Sequence, residues 1–441
     1  MSSVRGFAIP LDESLDFLDL HHANPSRYPV LFESSAFNGN IGRYDYLLVS
    51  SGEVHADSGD VFGLIDSLYA ALPDVIVDAG LPQFVGGYGL FLSYEMAQQV
   101  EPILALPRAV GSLPRSCIVR TPLVLARDRV TAKTCLLGDP SFSDLKDAVL
   151  ADIAGACAHV ELLPALSDVV EEESSQFTDA VVRVLEYLRA GDVFQANLSR
   201  GWTATFDEDV KPAALFQRLR ERNPAPFAGL FHTPHATIVS ASPERLVGVS
   251  GRNVTTRPIA GTRPRINTAD DAQVIEELTQ HTKERAEHVM LIDLERNDLG
   301  RICTPGSVEV NELMVVESYR HVHHIVSNVR GVLREEITPG QVLKSTFPGG
   351  TITGCPKVRC MQIIAELEPQ GRGAYTGSMG WISKSNGLQM DTNILIRSAE
   401  VEGNTARFRA GAGIVLDSQP DKELEETRAK AKGMLRAIAA E

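Results

Sequence analysis

The chain has 441 residues, 44% hydrophobic and 22% charged, with a formal net charge of -15. That length exceeds what one core usually fills, so two domains or two layered subdomains are expected, and the composition excludes a disordered or fibrous chain. The negative balance argues against nucleic acid and anionic membranes as partners, so a small anionic ligand needs its own cationic or metal-bearing site.

The opening MSSVRGFAIPLDES lacks the charged-then-apolar pattern of a secretory leader, and no run approaches the ~20 apolar residues of a membrane span. A cytoplasmic location is expected. Six cysteines (Cys117, Cys135, Cys157, Cys303, Cys355 and Cys360) form no CxxC pair and are expected to be free thiols.

In chain order, the first part alternates short apolar segments with Gly and Pro, as in Tyr28 to Phe32, Tyr44 to Val49 and Val85 to Leu92, which suits an antiparallel sheet. A helical pattern from Asp144 to Ala158 runs into LLPALSDVVEEESS, where Pro, Ser and an acidic run place a boundary. The expected division is a β-rich portion 1–165 and a second portion 166–441. A helix begins near Phe177, carries Val181, Val184, Leu185 and Leu188 at helical spacing and stops at Gly191. Strand-like FQANLS follows. One long helix is predicted over roughly Gln273 to Asn297, a shorter one around Lys357 to Leu367, and a last one over Asp421 to Ala439.

Two helices each carry a pair of glutamates three residues apart: Glu284 with Glu287, and Glu423 with Glu426. That spacing puts each pair on one helix face. On the last helix Leu424, Ala431, Leu435 and Ile438 form the apolar stripe, while Glu423, Glu426 and Lys430 share another. Two such faces turned together would offer hard oxygen ligands to Mg2+, which keeps several waters and takes a substrate carboxylate as a further ligand. Spacing alone equally describes solvated helix surface. The Gly-rich segments FPGGTITGCPK, YTGSMGW and RAGAGIV allow backbone N–H groups to approach an anion, or are simply tight turns. None carries a Walker or dinucleotide fingerprint. Glu244, His324 and Lys357 are candidates for acid–base chemistry beside those turns.

Several stretches together are more specific. RPIAGTRPR, KERAEHVMLIDLERNDLGR, VHHIVSNVRG, FPGGTITGCPKVR, MDTNILIR and AGAGIVLDSQPDKELEET resemble the signatures of the chorismate-utilising enzymes, which include anthranilate synthase component I, aminodeoxychorismate synthase component I and the isochorismate and salicylate synthases. The resemblance implies an α/β fold in which two large antiparallel β-sheets pack as a sandwich with helices outside, both chain portions contributing. It implies that Glu287 and Glu426 ligate Mg2+ directly and that Glu284 and Glu423 act through water. The ion would hold the ring carboxylate of chorismate. Arg397 and the backbone at Gly411, Ala412 and Gly413 would receive the enolpyruvyl carboxylate, with Tyr375, Thr351 and Lys430 lining the site. Glu244 would be the general acid toward the C4 hydroxyl, and His324 would sit against the ring.

Within the family, isochorismate and salicylate synthases use a lysine to activate water where this chain has Gln195, so ammonia is the expected nucleophile. FQANLS with Asn197, NPAPFAG and FPGGTITG resemble the aminodeoxychorismate synthases, whose product leads to 4-aminobenzoate and folate. Ala260, in PIAGT, stands where many of those enzymes have a nucleophilic lysine, and here the sequence matches anthranilate synthases. Amination at C4, by ammonia directly, is the expected reaction on the three local matches, with amination at C2 and loss of pyruvate as the alternative. VLFESS and GRYDY, with Glu33, Ser34 and Arg43, resemble the segment forming a tryptophan pocket in anthranilate synthases, or are a plain sheet edge. No cysteine-based glutaminase triad is recognisable, so a separate glutamine amidotransferase subunit is the expected ammonia source. A non-catalytic chorismate or tryptophan sensor is the alternative of another class.

Overall fold

The computed structural model describes residues 3–36, 42–78, 80–156, 162–265, 271–318 and 322–439. Two large sheets dominate them, one of 12 strands and one of 10, with every pairing antiparallel except that of Ser3–Arg5 with Asp74–Ile76 in a separate small ribbon. The strands bury both faces, and their alternation sorts side chains between two different cores. In Tyr44–Val49, Leu47 and Val49 point to one cluster with the helices Phe17–Ala23 and Pro212–Arg222, whereas Tyr46 and Leu48 point to another. That second cluster joins the sheets: Val30, Val124, Phe231 and Ile238 come from the larger one, and Phe91, Val119, Met379 and Trp381 from the smaller. The outer face of the smaller sheet is covered by Val61–Ala71, Thr282–Gly300, Pro339–Thr346 and Lys357–Leu367. The result is the expected sandwich with helices on both outer faces.

Strands from either side of the 160–175 segment share both sheets. Val30–Glu33 pairs with Phe227–His232, and Gly87–Leu92 pairs with Ser378–Lys384. Within that segment, Leu166–Glu171 is itself a strand, hydrogen-bonded along Gln195–Phe206. The helix expected from Asp144 to Ala158 spans Ser143–Gly155, and Cys157 lies outside the described residues. Ser174–Ala190 is a helix closed by Gly191 at φ 80°, as its sequence requires.

The single helix predicted over Gln273 to Asn297 is a correction: it is two, Asp271–Gln280 and Thr282–Gly300. His281 takes extended backbone angles and its ring accepts from the Glu284 amide, so the residue that interrupts the first helix caps the second. Glu284 thereby falls in the first turn. No described helix is long and apolar enough to cross a membrane.

Phe91 and Phe231 meet across the inter-sheet core at 6.2 Å between ring centroids. Phe231→Ala is expected to lower stability by about 3–5 kcal/mol through lost burial and a cavity, read from the urea midpoint; a cost below about 1 kcal/mol would mean that the sheets do not depend on this packing.

Candidate active site

The site is built outward from one strand pairing. Gln195–Phe206 runs antiparallel to Thr405–Ile414, with Ala196 opposite Ile414, Asn197 opposite Gly413 and Ser199 opposite Gly411. Gln195 and Asn197 are thus set beside the glycines of RAGAGIV. A Cβ on Gly413 would lie 2.4 Å from Gln195 Nε2 and 3.8 Å from Glu287 Oε1, and one on Gly411 would lie 2.6 Å from the Tyr375 hydroxyl and 2.8 Å from Asn197 Oδ1. Any side chain at these positions would collide, so glycine keeps the backbone open to its neighbours. Asn197 Oδ1 and Gln195 Oε1 are buried without a hydrogen-bond partner. Such orphaned acceptors are uncommon in a finished interior and point to a ligand-facing surface.

Gln195 Nε2 donates to Glu287 Oε1 at 2.8 Å, which ties the larger sheet to the helix Thr282–Gly300. One turn earlier, Glu284 pairs with Arg263 at 2.7 Å, and its other oxygen is buried without a partner, 2.8 Å from where a Cβ on Gly261 would stand. Gly261 has φ +73° and marks a register break in the pairing of Ile259–Pro264 with Val322–Val332, between Ala260 opposite Ile325 and Thr262 opposite His324. The PIAGT segment therefore bends between the helix carrying the glutamates and the strand carrying His324.

Glu244 follows the strand Thr237–Ser242 and is 4% exposed. Burial pushes its carboxyl up to about 7, tempered by the neighbouring Thr351 hydroxyl and the Ile259 backbone. Glu244 Oε1 and Thr351 Oγ1 nonetheless form no hydrogen bond of proper geometry, and both remain unpartnered. His324 is buried, and desolvation, followed by the positive charge of Arg397, pulls its pKa down to about 4. Its ring is neutral near pH 7. No carboxylate is paired with Arg397 among the described residues, and burial disfavours its charged form. Its backbone has φ +52°, and the nearby Thr376 has φ +61°. Left-handed backbone at non-glycine residues stores roughly 1–3 kcal/mol each and concentrates at functional sites.

Tyr375 is supported by charges that the sequence reading did not single out. Arg372, fully enclosed, pairs with Glu368 at 2.7 Å, donates to the Asn197 carbonyl at 2.7 Å and lies 5.7 Å from the Tyr375 ring centroid. Arg409 joins Glu368 at 3.6 Å and donates to the Ser199 hydroxyl. The four-residue spacing of Glu368 and Arg372 was visible, but nothing in it marked the pair as buried. Burial also raises the Tyr375 hydroxyl to about 12, so it stays protonated.

The last helix, Pro420–Ile438, packs Leu424, Ala431 and Met434 inward and leaves Glu426 exposed and paired with Lys430 at 2.8 Å. Lys357 pairs with Asp298 at 2.6 Å. Among the described residues, no three His, Cys, Asp or Glu side chains are arranged as a ligand group. The four glutamates thus do not stand as a preassembled cage; Arg263, Gln195 and Lys430 hold three of them. The donor set still suits a cation that needs only one or two carboxylates plus water, and a water carried by such an ion would satisfy the orphaned Glu284 oxygen.

A cavity of about 580 Å3 is lined by Glu33, Ser34, Arg43, Met379, Trp381 and Asp391 among others, from strands of both sheets. Glu33 there faces Arg220 at 3.2 Å, Arg43 pairs with Asp128 at 2.7 Å, and the Ser34 hydroxyl is buried without a partner. Glu33, Ser34 and Arg43, expected to form a tryptophan pocket or a plain sheet edge, thus line a half-open cavity.

Comparison with known proteins agrees with this geometry. The chorismate binding enzyme family matches residues 46–436. Anthranilate synthase component 1 of Synechocystis sp. is 46% identical over 470 residues, spanning 94% of this chain and 91% of that protein. Aminodeoxychorismate synthase component 1 of Bacillus subtilis is 40% identical over 370 residues, spanning 81% and 78%. The crystal structure of anthranilate synthase component I from Streptococcus pneumoniae superposes with a TM-score of 0.77 at 31% identity, covering 93% of each chain. With the family's model spanning nearly the whole chain and close relatives of both kinds, the chain belongs to the chorismate-binding enzyme family and is a chorismate-utilising enzyme of the anthranilate and aminodeoxychorismate synthase type.

Proposed function

We propose that this chain, with Mg2+ bound, adds ammonia to chorismate at C4 to give 4-amino-4-deoxychorismate, the precursor of 4-aminobenzoate, using ammonia released by a separate glutamine amidotransferase subunit. The observation that carries the proposal is Glu244: a carboxyl that burial raises to about 7, so that a large share keeps its proton near neutral pH, with one oxygen unpartnered. A protonated acid so placed can give its proton to a departing hydroxyl, which leaves as water. Gln195 supports ammonia over water as the nucleophile, since an amide donating to Glu287 cannot act as a base. His324, neutral, hydrogen-bonds the substrate without adding charge, and Arg397 receives the enolpyruvyl carboxylate with the backbone at Gly411 to Gly413.

Glu287 with Glu426 would hold the ion, and Glu284 and Glu423 would act through its waters. The bound cation supplies positive charge to the ring carboxylate in a chain whose net charge is -15. Ala260 offers no nucleophile, so ammonia attacks the ring directly.

A second reading, C2 amination with elimination of pyruvate to anthranilate, is favoured by Ala260 and by the cavity at Glu33, Ser34 and Arg43. The two are separated by the product formed from chorismate, Mg2+ and ammonium: 4-aminobenzoate appearing only after aminodeoxychorismate lyase is added is the expected result, and anthranilate fluorescence without lyase would establish the second reading. Glutamine should replace ammonium only once an amidotransferase subunit is present.

Glu244→Gln is expected to cut turnover about 100-fold or more while chorismate affinity stays close to that of the parent chain. A carboxyl raised to about 7 is protonated below that pH. At fixed free ammonia, kcat/KM of the parent chain should therefore fall as pH rises through about 7, and full turnover in the Gln variant would remove Glu244 from the chemistry. For the metal, Glu287→Gln should raise the Mg2+ concentration giving half-maximal rate by about 10-fold or more; an unaltered Mg2+ requirement would reject Glu287 as a ligand.

A further inference from the structure

Tyr375 and Arg397 lie on two segments that hold each other through the backbone: the Thr376 amide donates to the Leu395 carbonyl at 2.7 Å, and the Leu395 amide to the Gly377 carbonyl at 2.8 Å. The residues just ahead of Tyr375 are held by side chains instead. Glu95 Oε1 accepts from the Arg372 amide at 2.8 Å and the Gly373 amide at 3.1 Å, and Glu400 Oε1 accepts from the Ala374 amide at 2.6 Å. Three successive backbone amides thus end on two carboxyl groups, 7% and 9% exposed. Neither glutamate has a role in the chemistry above.

The two anchors come from different sheets. Glu95 sits in the turn Tyr94–Met96, which follows the strand Gly87–Leu92 of the smaller sheet, and Glu400 is on the strand Ser398–Glu402 of the larger one. The Tyr94 amide also donates to the Gly373 carbonyl at 2.9 Å, and the Tyr94 ring lies 4.8 Å from the Arg372 guanidinium. Gly373 has φ +59°, and a Cβ there would lie 2.3 Å from Glu400 Oε1, so glycine is what lets Glu400 close on the Ala374 amide. Buried carboxyls are costly unless their oxygens are hydrogen-bonded, so these bonds leave the segment little freedom. The left-handed backbone of Thr376, φ +61°, is of the kind that persists only where its surroundings over-determine it.

We infer that Glu95 and Glu400 are positioning residues: by fixing the backbone of Arg372 to Ala374 they set Tyr375 against Gly411, and Thr376 against the segment of Arg397, in the subsite that receives the enolpyruvyl carboxylate. The inference rests on the reading that this carboxylate binds there. Through Glu95 the portion 1–165 then shapes the substrate site without touching substrate. What each glutamate supplies is an accepting oxygen more than a charge. Burial raises both above the ordinary carboxylate range, Glu400 to about 7, and an amide oxygen can accept the same bonds.

Glu95→Ala and Glu400→Ala each remove one anchor. With Mg2+ and ammonium saturating, either should raise KM for chorismate about 10-fold while kcat stays within about threefold of the parent value, because a displaced carboxylate subsite weakens binding in the ground and transition states alike. The Mg2+ concentration giving half-maximal rate should stay within about twofold, since the metal-site glutamates lie on other helices. Glu95→Gln and Glu400→Gln, which keep an accepting oxygen, should bring KM back to within about threefold of the parent value. A parent-like KM in the Ala variants, a kcat loss or Mg2+ requirement that grows as much as KM, or Gln variants as poor as the Ala ones would overturn the inference. Gly373→Ala presses a Cβ onto Glu400 Oε1 and should give the same rise in KM; a parent-like KM there would overturn it even if the Glu95 and Glu400 variants fail to fold. Arg397→Met assayed alongside separates the two ideas: an unchanged KM in it removes the carboxylate subsite itself, whereas a raised KM beside a parent-like Glu95→Ala removes only the anchors.

Discussion

The arrangement depends on the ten-residue antiparallel pairing of Gln195–Phe206 with Thr405–Ile414. This ladder fixes the register that puts Gln195 and Asn197 beside Gly413 and Gly411, and a slip of one residue would turn both amides to the opposite face. Every other part of the site is referred to that frame. Gln195 reaches Glu287 on the helix over the smaller sheet, and the Asn197 carbonyl receives Arg372, which underlies Tyr375. The buried Glu368–Arg372–Arg409 group carries a high desolvation cost, offset only because each charge has close partners, and so it admits little freedom of position.

A strongly acidic chain that binds an anion must build the opposite field locally. It does so here by leaving Arg397 without a carboxylate partner among the described residues and by raising the Glu244 carboxyl to about 7, so that a share of it keeps its proton near neutral pH. Burial is the leading cause of the Glu244 shift.

Much of the local structure was legible beforehand. The helix stop at Gly191, the helix Lys357–Leu367 and the strand Tyr44–Val49 follow from periodicity and capping that act over a few residues. The break at His281 was not, because the polar stretch TQHTKER holds no Gly or Pro to mark a stop, and only the backbone angles and the cap to the Glu284 amide reveal two helices. Glu284 and Glu287 were legible as a shared face. That Arg263 and Gln195 hold them, and that Glu426 pairs with Lys430, depends on what each face meets.

Sequence alone determined several helices and strands, the acidic balance, the glycines at Gly411 and Gly413, and the motifs shared with chorismate-utilising enzymes, because these are properties of neighbouring residues or of residue identity. Only the tertiary structure decided that strands from both portions of the chain share two sheets, that Glu244 and Glu295 are both buried with an unpartnered oxygen, and that Arg372 underlies Tyr375. The reason is that desolvation and strand register arise between residues far apart in the chain, and no local pattern encodes which of them will meet.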